Sequence, residues 1–201
     1  MFDPFMRRLN DPLFDRIAAA LPASAKADHI TIGGFVIGLA SPLCADYGAF
    51  LPALAFLAIN RIGDGLDGAL ARRNGATDRG AYLDIVADFL IWSLLPIGFA
   101  IAAPQNAIPA VILMSSFAMS MTVFLAFSIF AEKHALSDDA HGGVKGIFYI
   151  SGLAEGTETI AFFAFVLLWP EHFAPAAYLF AGLVYLSVAG RIIEAFRRLS
   201  R

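Results

Sequence analysis

Residues 50–103 read FLPALAFLAINRIGDGLDGALARRNGATDRGAYLDIVADFLIWSLLPIGFAIAA, and this stretch decides the fold. Two apolar runs, 49–73 and 80–103, meet at a short polar turn. A membrane helix needs roughly 20 predominantly apolar residues to cross about 30 Å of hydrocarbon. Both runs reach that length, and the short connection makes them antiparallel neighbours. Their joined ends nevertheless carry Arg61, Asp64, Asp67 and Arg72 on one run and Asp84 and Asp88 on the other. A carboxylate at the centre of a membrane helix costs about 2.5–3.5 kcal/mol, so these side chains require a physical reason.

The rest of the chain repeats the apolar theme. Of 201 residues 59% are hydrophobic and only 15% are charged, with a mean hydropathy of +0.70. Soluble domains carry about 25% charged residues, so an ordinary soluble domain is excluded. Apolar runs at 29–46, 49–73, 80–103, 106–131, 145–169 and 174–197 predict six transmembrane helices. The expected fold is an all-α integral membrane protein in a single domain, 1–201. Residues 1–28 form an N-terminal arm and 29–201 the six-helix transmembrane part. The net charge of −3 is too small to suggest nucleic acid as a partner. Cys44 is the only cysteine and can form no internal disulfide.

Charge placement gives an orientation. Arg7, Arg8, Arg16 and Lys26 precede the first run, while Arg72, Arg73 and Arg79 flank the loop between the second and third. Lys133 and Lys145 flank the loop between the fourth and fifth, and Arg191, Arg197, Arg198 and Arg201 lie at the C-terminal end. The opposite loops contain no Lys or Arg. The positive-inside rule therefore places both termini and the carboxylate-rich loop in the cytoplasm, with a bacterial-type inner membrane as the setting. In the arm, Phe2, Phe5, Met6, Leu9, Leu13, Ile17 and Leu21 recur at steps of three and four. This predicts an amphipathic juxtamembrane helix, either lying among the lipid headgroups or packed on the bundle, with Pro12 starting or kinking it.

Helical geometry gathers the carboxylates. At about 100° per residue, with Asp64 at 0°, Asp67 falls near −60°, Gly68 near +40°, Ala71 near −20°, Arg61 near +60° and Arg72 near +80°. On the next helix, with Gly80 at 0°, Asp84 falls near +40° and Asp88 near +80°, at about 100° per residue again. The anions must be protonated, salt-bridged or neutralised by a cation. Arg61 and Arg72 can offset two of them. All-carboxylate oxygen donors suit one or two hard divalent cations such as Mg²⁺ or Mn²⁺, and no His lies on either helix to suggest zinc. A structural carboxylate network or an ion pathway is the alternative. Gly68, Ala71 and Gly80 leave a notch beside the carboxylates, which serves either a ligand or close helix packing.

The run Asp64-Gly65-Leu66-Asp67-Gly68-Ala69-Leu70-Ala71-Arg72, followed by Gly80, Asp84 and Asp88, resembles the signature of the CDP-alcohol phosphotransferase family, D-x-x-D-G-x-x-A-R, then G-x-x-x-D-x-x-x-D. Every fixed position is matched. The resemblance implies a membrane enzyme of phospholipid synthesis that cleaves a CDP-linked donor, usually CDP-diacylglycerol, releases CMP and joins the phosphatidyl group to an alcohol. It further implies that Asp64, Asp67, Asp84 and Asp88 hold metal, that Asp88 is the general base, and that Thr31, Asp64, Gly68, Ala71, Arg72 and Gly80 form the CDP site. Members often begin the first span with a Pro-Asn-x-Ile-Thr-like stretch, of which Ile30 and Thr31 are retained. A homodimer is implied by the resemblance alone.

For the acceptor, Lys145, Glu155, Glu158 and Arg191 are the candidates. Arg191 would contact an acceptor phosphate or else pair with Glu194. Lys145 would do the same or anchor the span. Glu155 and Glu158 would bind acceptor hydroxyls or pair with a basic residue. A polyol phosphate such as glycerol 3-phosphate or an inositol phosphate is favoured. The competing readings are a CDP-choline or CDP-ethanolamine type transferase acting on a diacylglycerol and a divalent-cation transport protein. The long uncharged stretch from Phe89 to Ala131 argues against a transport path.

Overall fold

The computed structural model describes residues 3–22, 25–133 and 156–199. These form eight α-helices: α1 Asp3–Ala20, α2 Ala27–Gly38, α3 Ala40–Asp46, α4 Phe50–Asn74, α5 Asp78–Ala102, α6 Ala107–Lys133, α7 Gly156–Leu168 and α8 Phe173–Leu199. Single 3-10 turns, Pro104–Asn106 and Pro170–His172, connect α5 to α6 and α7 to α8.

Four segments among the described residues are long and apolar enough to cross a membrane: Ala27–Asp46, Asp78–Ala102, Pro104–Lys133 and Pro170–Leu199. The six expected from the sequence are not reached by that measure. The 25 residues of α4 are long enough, but Arg61, Asp64 and Asp67 interrupt its apolar character. The expected fifth run, 145–169, is described only through α7, whose 13 residues are too few. Outward faces carry Leu51, Ile101, Ile108, Leu179 and Leu186, all more than half exposed, as a lipid-facing surface requires.

The first run is bent rather than straight. Pro42 has no N–H to give the carbonyl of Gly38, and its ring crowds that carbonyl, so the chain breaks into α2 and α3 at Leu39. The buried Ser41 hydroxyl donates to the Ala53 carbonyl (2.8 Å) and fastens α3 to α4. α2 crosses α4 where Gly34 faces Gly63. A Cβ built on Gly63 would lie 3.4 Å from the Gly34 Cα, so the two backbones meet with no side chain between them.

Two ends of the molecule differ in chemistry. At one, Phe99 of α5 is fully buried and stacks between Phe50 of α4 (5.0 Å between ring centroids) and Phe173 of α8 (4.2 Å). Phe162 of α7 stacks on Phe180 of α8 at 4.6 Å, and Phe117 of α6 meets Phe163 and Phe180. The carboxylates stand at the other end: Asp64 is 14 residues from Phe50, or about 21 Å along the helix.

The arm forms a single helix, so Pro12 lies inside α1 instead of starting it. α1 packs on the bundle through Ala18, which is buried with Ala69 and Leu70. Phe14 lies so close to α4 that a Cβ on Gly65 would meet its ring at 2.4 Å. The opposite face, Phe5, Leu9, Leu13 and Ile17, stays exposed. One face of the arm thus packs on the bundle, and its other apolar face is left uncovered by the described residues. α4 ends at Gly75, whose φ of +97° only glycine adopts readily, and Gly75 N donates to Ala71 O (3.0 Å).

Phe99→Ala is expected to destabilise the protein in detergent by about 2–3 kcal/mol. That is the cavity cost of roughly 100 Å³ at about 24 cal/mol per Å³, with little transfer term because lipid is as apolar as the core. Thermal unfolding of the purified variant measures it.

Candidate functional site

The carboxylates come together as the helical spacing predicts. Asp64 of α4 and Asp84 and Asp88 of α5 each offer one oxygen, and the three oxygens lie within 4.8 Å of one another. Arg61, one turn before Asp64, is the guanidinium that faces them. Its Nη1 is 3.6 Å from Asp64 Oδ2, and its Nη2 donates to Asp88 Oδ1. Its side chain is 13% exposed, so this charge is held largely out of solvent.

Asn60 fixes that guanidinium. Its Oδ1 accepts from Arg61 Nε (2.9 Å) and Nη2 (2.6 Å), while its own Nδ2 donates to the Gly34 carbonyl of α2 (3.1 Å). Asn60 is buried, and the sequence reading passed over it. A buried amide beside an arginine in an apolar run was the available signal, because such a group must find partners.

Asp67 lies outside the three-oxygen group. It is buried, with the Thr31 side chain of α2 beside its carboxylate. The Thr31 hydroxyl itself donates to the Ala27 carbonyl (3.1 Å). The start of α2 thus borders the site.

The notch is open at Gly68 and filled at Gly80. A Cβ on Gly68 would meet only Arg72 Nη1, at 3.7 Å, whereas one on Gly80 would press on Thr77 Oγ1 (3.1 Å) and Asp28 Oδ1 (3.3 Å). Thr77 caps α5 by accepting from Gly80 N (3.0 Å). Ala71, half-buried, follows Gly68 on the same helix. Asp28 was also passed over. It stands where the family pattern has Asn, three residues before Thr31 and therefore on the same face of α2, and it pairs with Arg79 at 3.7 Å.

Arg72 does not join Arg61 in offsetting the carboxylates. Its Nη2 is 2.9 Å from Asp15 Oδ1 and 3.4 Å from Asp11 Oδ1, both on α1. Three carboxylates against the single guanidinium of Arg61 leave two formal negative charges in the cluster. An all-oxygen donor set with that surplus fits a hard divalent cation, held by Asp64, Asp84 and Asp88.

The acceptor candidates are placed unevenly. Arg191 of α8 is 7% exposed; its Nη1 donates to Ser120 Oγ of α6 (3.0 Å) and its Nε has no hydrogen-bond partner among the described residues. Glu194, the ion-pair partner of one reading, accepts from Arg198 (2.8 Å). Glu158 stands in the first turn of α7. Lys145 and Glu155 fall outside the described residues.

Comparison with known proteins agrees with the motif. The sequence pattern of CDP-alcohol phosphatidyltransferases matches residues 24–192. Inner membrane protein YnjF of Escherichia coli is 42% identical over 171 residues, covering 84% of this chain and 82% of YnjF. Archaetidylinositol phosphate synthase of Methanothermobacter thermautotrophicus is 30% identical, covering 98% of this chain and 94% of that one. The fold is shared with the crystal structure of Mycobacterium tuberculosis phosphatidylinositol phosphate synthase with CDP-DAG bound, at a TM-score of 0.63, 20% identity and 94% coverage of both chains. The matched motif, the gathered aspartates and these relatives lead to one conclusion: the chain belongs to the CDP-alcohol phosphatidyltransferase family of membrane enzymes.

Proposed function

We propose that this enzyme transfers the phosphatidyl group of CDP-diacylglycerol to the hydroxyl of a polyol phosphate. The observation that carries the reading is the meeting of Asp64, Asp84 and Asp88 oxygens within 4.8 Å beside the Gly68 notch. In this reading the acceptor oxygen attacks the phosphorus that bears the diacylglycerol. The bond from that phosphorus to the bridging oxygen of the diphosphate breaks, and CMP leaves. Asp88 takes the hydroxyl proton, with its carboxylate oriented by Arg61.

Asp64, Asp67, Asp84 and Asp88 would hold one or two Mg²⁺ or Mn²⁺ ions. A bound cation supplies charge stabilisation to the diphosphate and to the leaving phosphate oxygen. Gly68, Ala71 and Gly80 would let the cytidine diphosphate approach the backbone, with Thr31 and Arg72 at its edges. Positioning and charge stabilisation account for most of the barrier lowering in phosphoryl transfer, which is what rigid helices bearing these side chains can provide.

The names of two relatives, an archaetidylinositol phosphate synthase and a phosphatidylinositol phosphate synthase with CDP-DAG bound, favour an inositol phosphate or a similar polyol phosphate as acceptor. Arg191 is the described residue best suited to its phosphate: a buried guanidinium whose Nε is unpartnered among the described residues can take up one more acceptor. Lys145, Glu155 and Glu158 are proposed as further acceptor contacts. The chain would cross a bacterial inner membrane six times as a homodimer, with both termini and the site in the cytoplasm, where the nucleotide is soluble.

Purified protein given CDP-diacylglycerol, Mg²⁺ or Mn²⁺ and a panel of polyol phosphates is expected to release CMP only when the right acceptor is present. A folded protein that releases none with any acceptor would overturn the proposal. Asp88→Asn is expected to lower kcat by roughly 10²–10⁴-fold, the usual worth of a general base, while the thermal unfolding of the variant stays near that of the parent. Chelation with EDTA is expected to abolish CMP release, and added Mg²⁺ or Mn²⁺ to restore it; titrating each ion against initial rate identifies the preferred one.

A further inference from the structure

Arg72 is held from α1. Nη2 is bound to Asp15 and Asp11 of α1 at 2.9 and 3.4 Å, while Nη1 lies 3.7 Å from the point where a Cβ on Gly68 would stand. One nitrogen of the planar fork is thus anchored on α1, and the other is presented at the notch. Asp11 and Asp15 are four residues apart, so both point from the same face of α1, the face that also carries Phe14 and Ala18 onto α4. Next to this contact, Arg73 donates to the Ala18 carbonyl, and Asn74 donates to the Ala25 carbonyl at 3.1 Å. The C-terminal turn of α4 is therefore gripped along its length by the arm and by the segment that follows it.

Exposure decides what the Asp11–Arg72–Asp15 pair is for. Side chains 37%, 46% and 53% exposed form ion pairs that add little to stability, because water already solvates both partners. What such a pair retains is direction. A free arginine side chain samples many rotamers, and two carboxylates on one nitrogen restrict that freedom without covering the other end of the fork.

We propose that Asp11 and Asp15 are positioning residues that hold the Arg72 guanidinium with Nη1 over the Gly68 notch, ready for a diphosphate oxygen of the donor. This rests on the proposed placement of the CDP-linked donor at Gly68. It gives the arm a role in donor recognition distinct from its apolar face.

The test uses the full chain in detergent with CDP-diacylglycerol as the probe, reading donor KM and kcat by CMP release together with direct donor binding. In the double variant Asp11→Asn/Asp15→Asn, donor KM is expected to rise about fivefold, the upper end for an exposed pair, with kcat within twofold of the parent. Asp11→Glu/Asp15→Glu keeps the charges and is expected to restore KM. Phe99→Ala, at the opposite end of the bundle, is expected to lower thermal stability while leaving donor KM unchanged. Combining Arg72→Lys with the Asn pair is expected to add nothing beyond Arg72→Lys alone, since a lysine cannot be anchored and presented at once. A parent protein that neither binds the donor nor releases CMP overturns the underlying reading of the site. An active parent with an Asn pair whose donor KM is unchanged or lowered overturns the anchor. So does a Phe99→Ala variant that raises KM as much as the Asn pair, or a combination in which the two losses add.

Discussion

Carboxylates gathered at the end of an apolar helix pair must be compensated on the spot, and the guanidinium of Arg61 is the protein's own compensation. Much else is arranged around keeping it there. Arg61 is aimed by Asn60, and Asn60 is tied to the Gly34 carbonyl on α2. That tie needs α2 to lie against α4, which the Gly34–Gly63 contact permits by letting the backbones touch. Once α2 is that close, its first turn brings Thr31 to Asp67 and Asp28 to Gly80. The border of the site is thus a consequence of how one arginine is held.

The opposite end of the bundle supplies the rigidity. Phe99, stacked between Phe50 and Phe173, clamps α4, α5 and α8 where no chemistry takes place. Lipid offers no hydrophobic drive to bring helices together, so dense packing and ring stacking must do it. With one end clamped, the carboxylates on α4 and α5 project from continuous helices instead of loops, and their separation is set by the helix crossing. Arg61 can bridge Asp64 and Asp88 only because that separation is fixed.

Helical periodicity made Asp64, Asp84 and Asp88 legible, because residues three or four apart share a face whatever surrounds them. It could not say which neighbour each side of that face meets. Asp67 is near enough in angle to be grouped with Asp64, but the structure turns it toward Thr31. Arg72 looked like a second counter-charge; its partner Asp15 lies 57 residues earlier, on an arm whose amphipathic pattern was legible while its docking was not. The break at Leu39 was written in Pro42, which the run of apolar residues around it concealed. Counting spans by hydropathy also ran against the candidate site, since the charges that α4 brings to it are those that remove it from the set of apolar crossing helices.

α4 concentrates these demands in six residues. At about 100° per residue, Gly63 points near 0°, while Gly65 and Gly68, three residues apart, point near 200° and 140° on the opposite side of the helix. Gly63 admits the backbone of α2, Gly65 admits the Phe14 ring of α1, and Gly68 leaves the notch over which Arg72 reaches. Each glycine weakens the helix by about 1 kcal/mol relative to alanine, so three so close together would fray an isolated segment. Packing offsets that weakness at Gly63 through α2 and at Gly65 through α1. At Gly68 only the tip of Arg72 is within reach, one turn from Asp64. A helix that gives up three side chains, fills two of the places with protein and keeps the third open next to its carboxylates has its free space where a ligand's phosphates would need it.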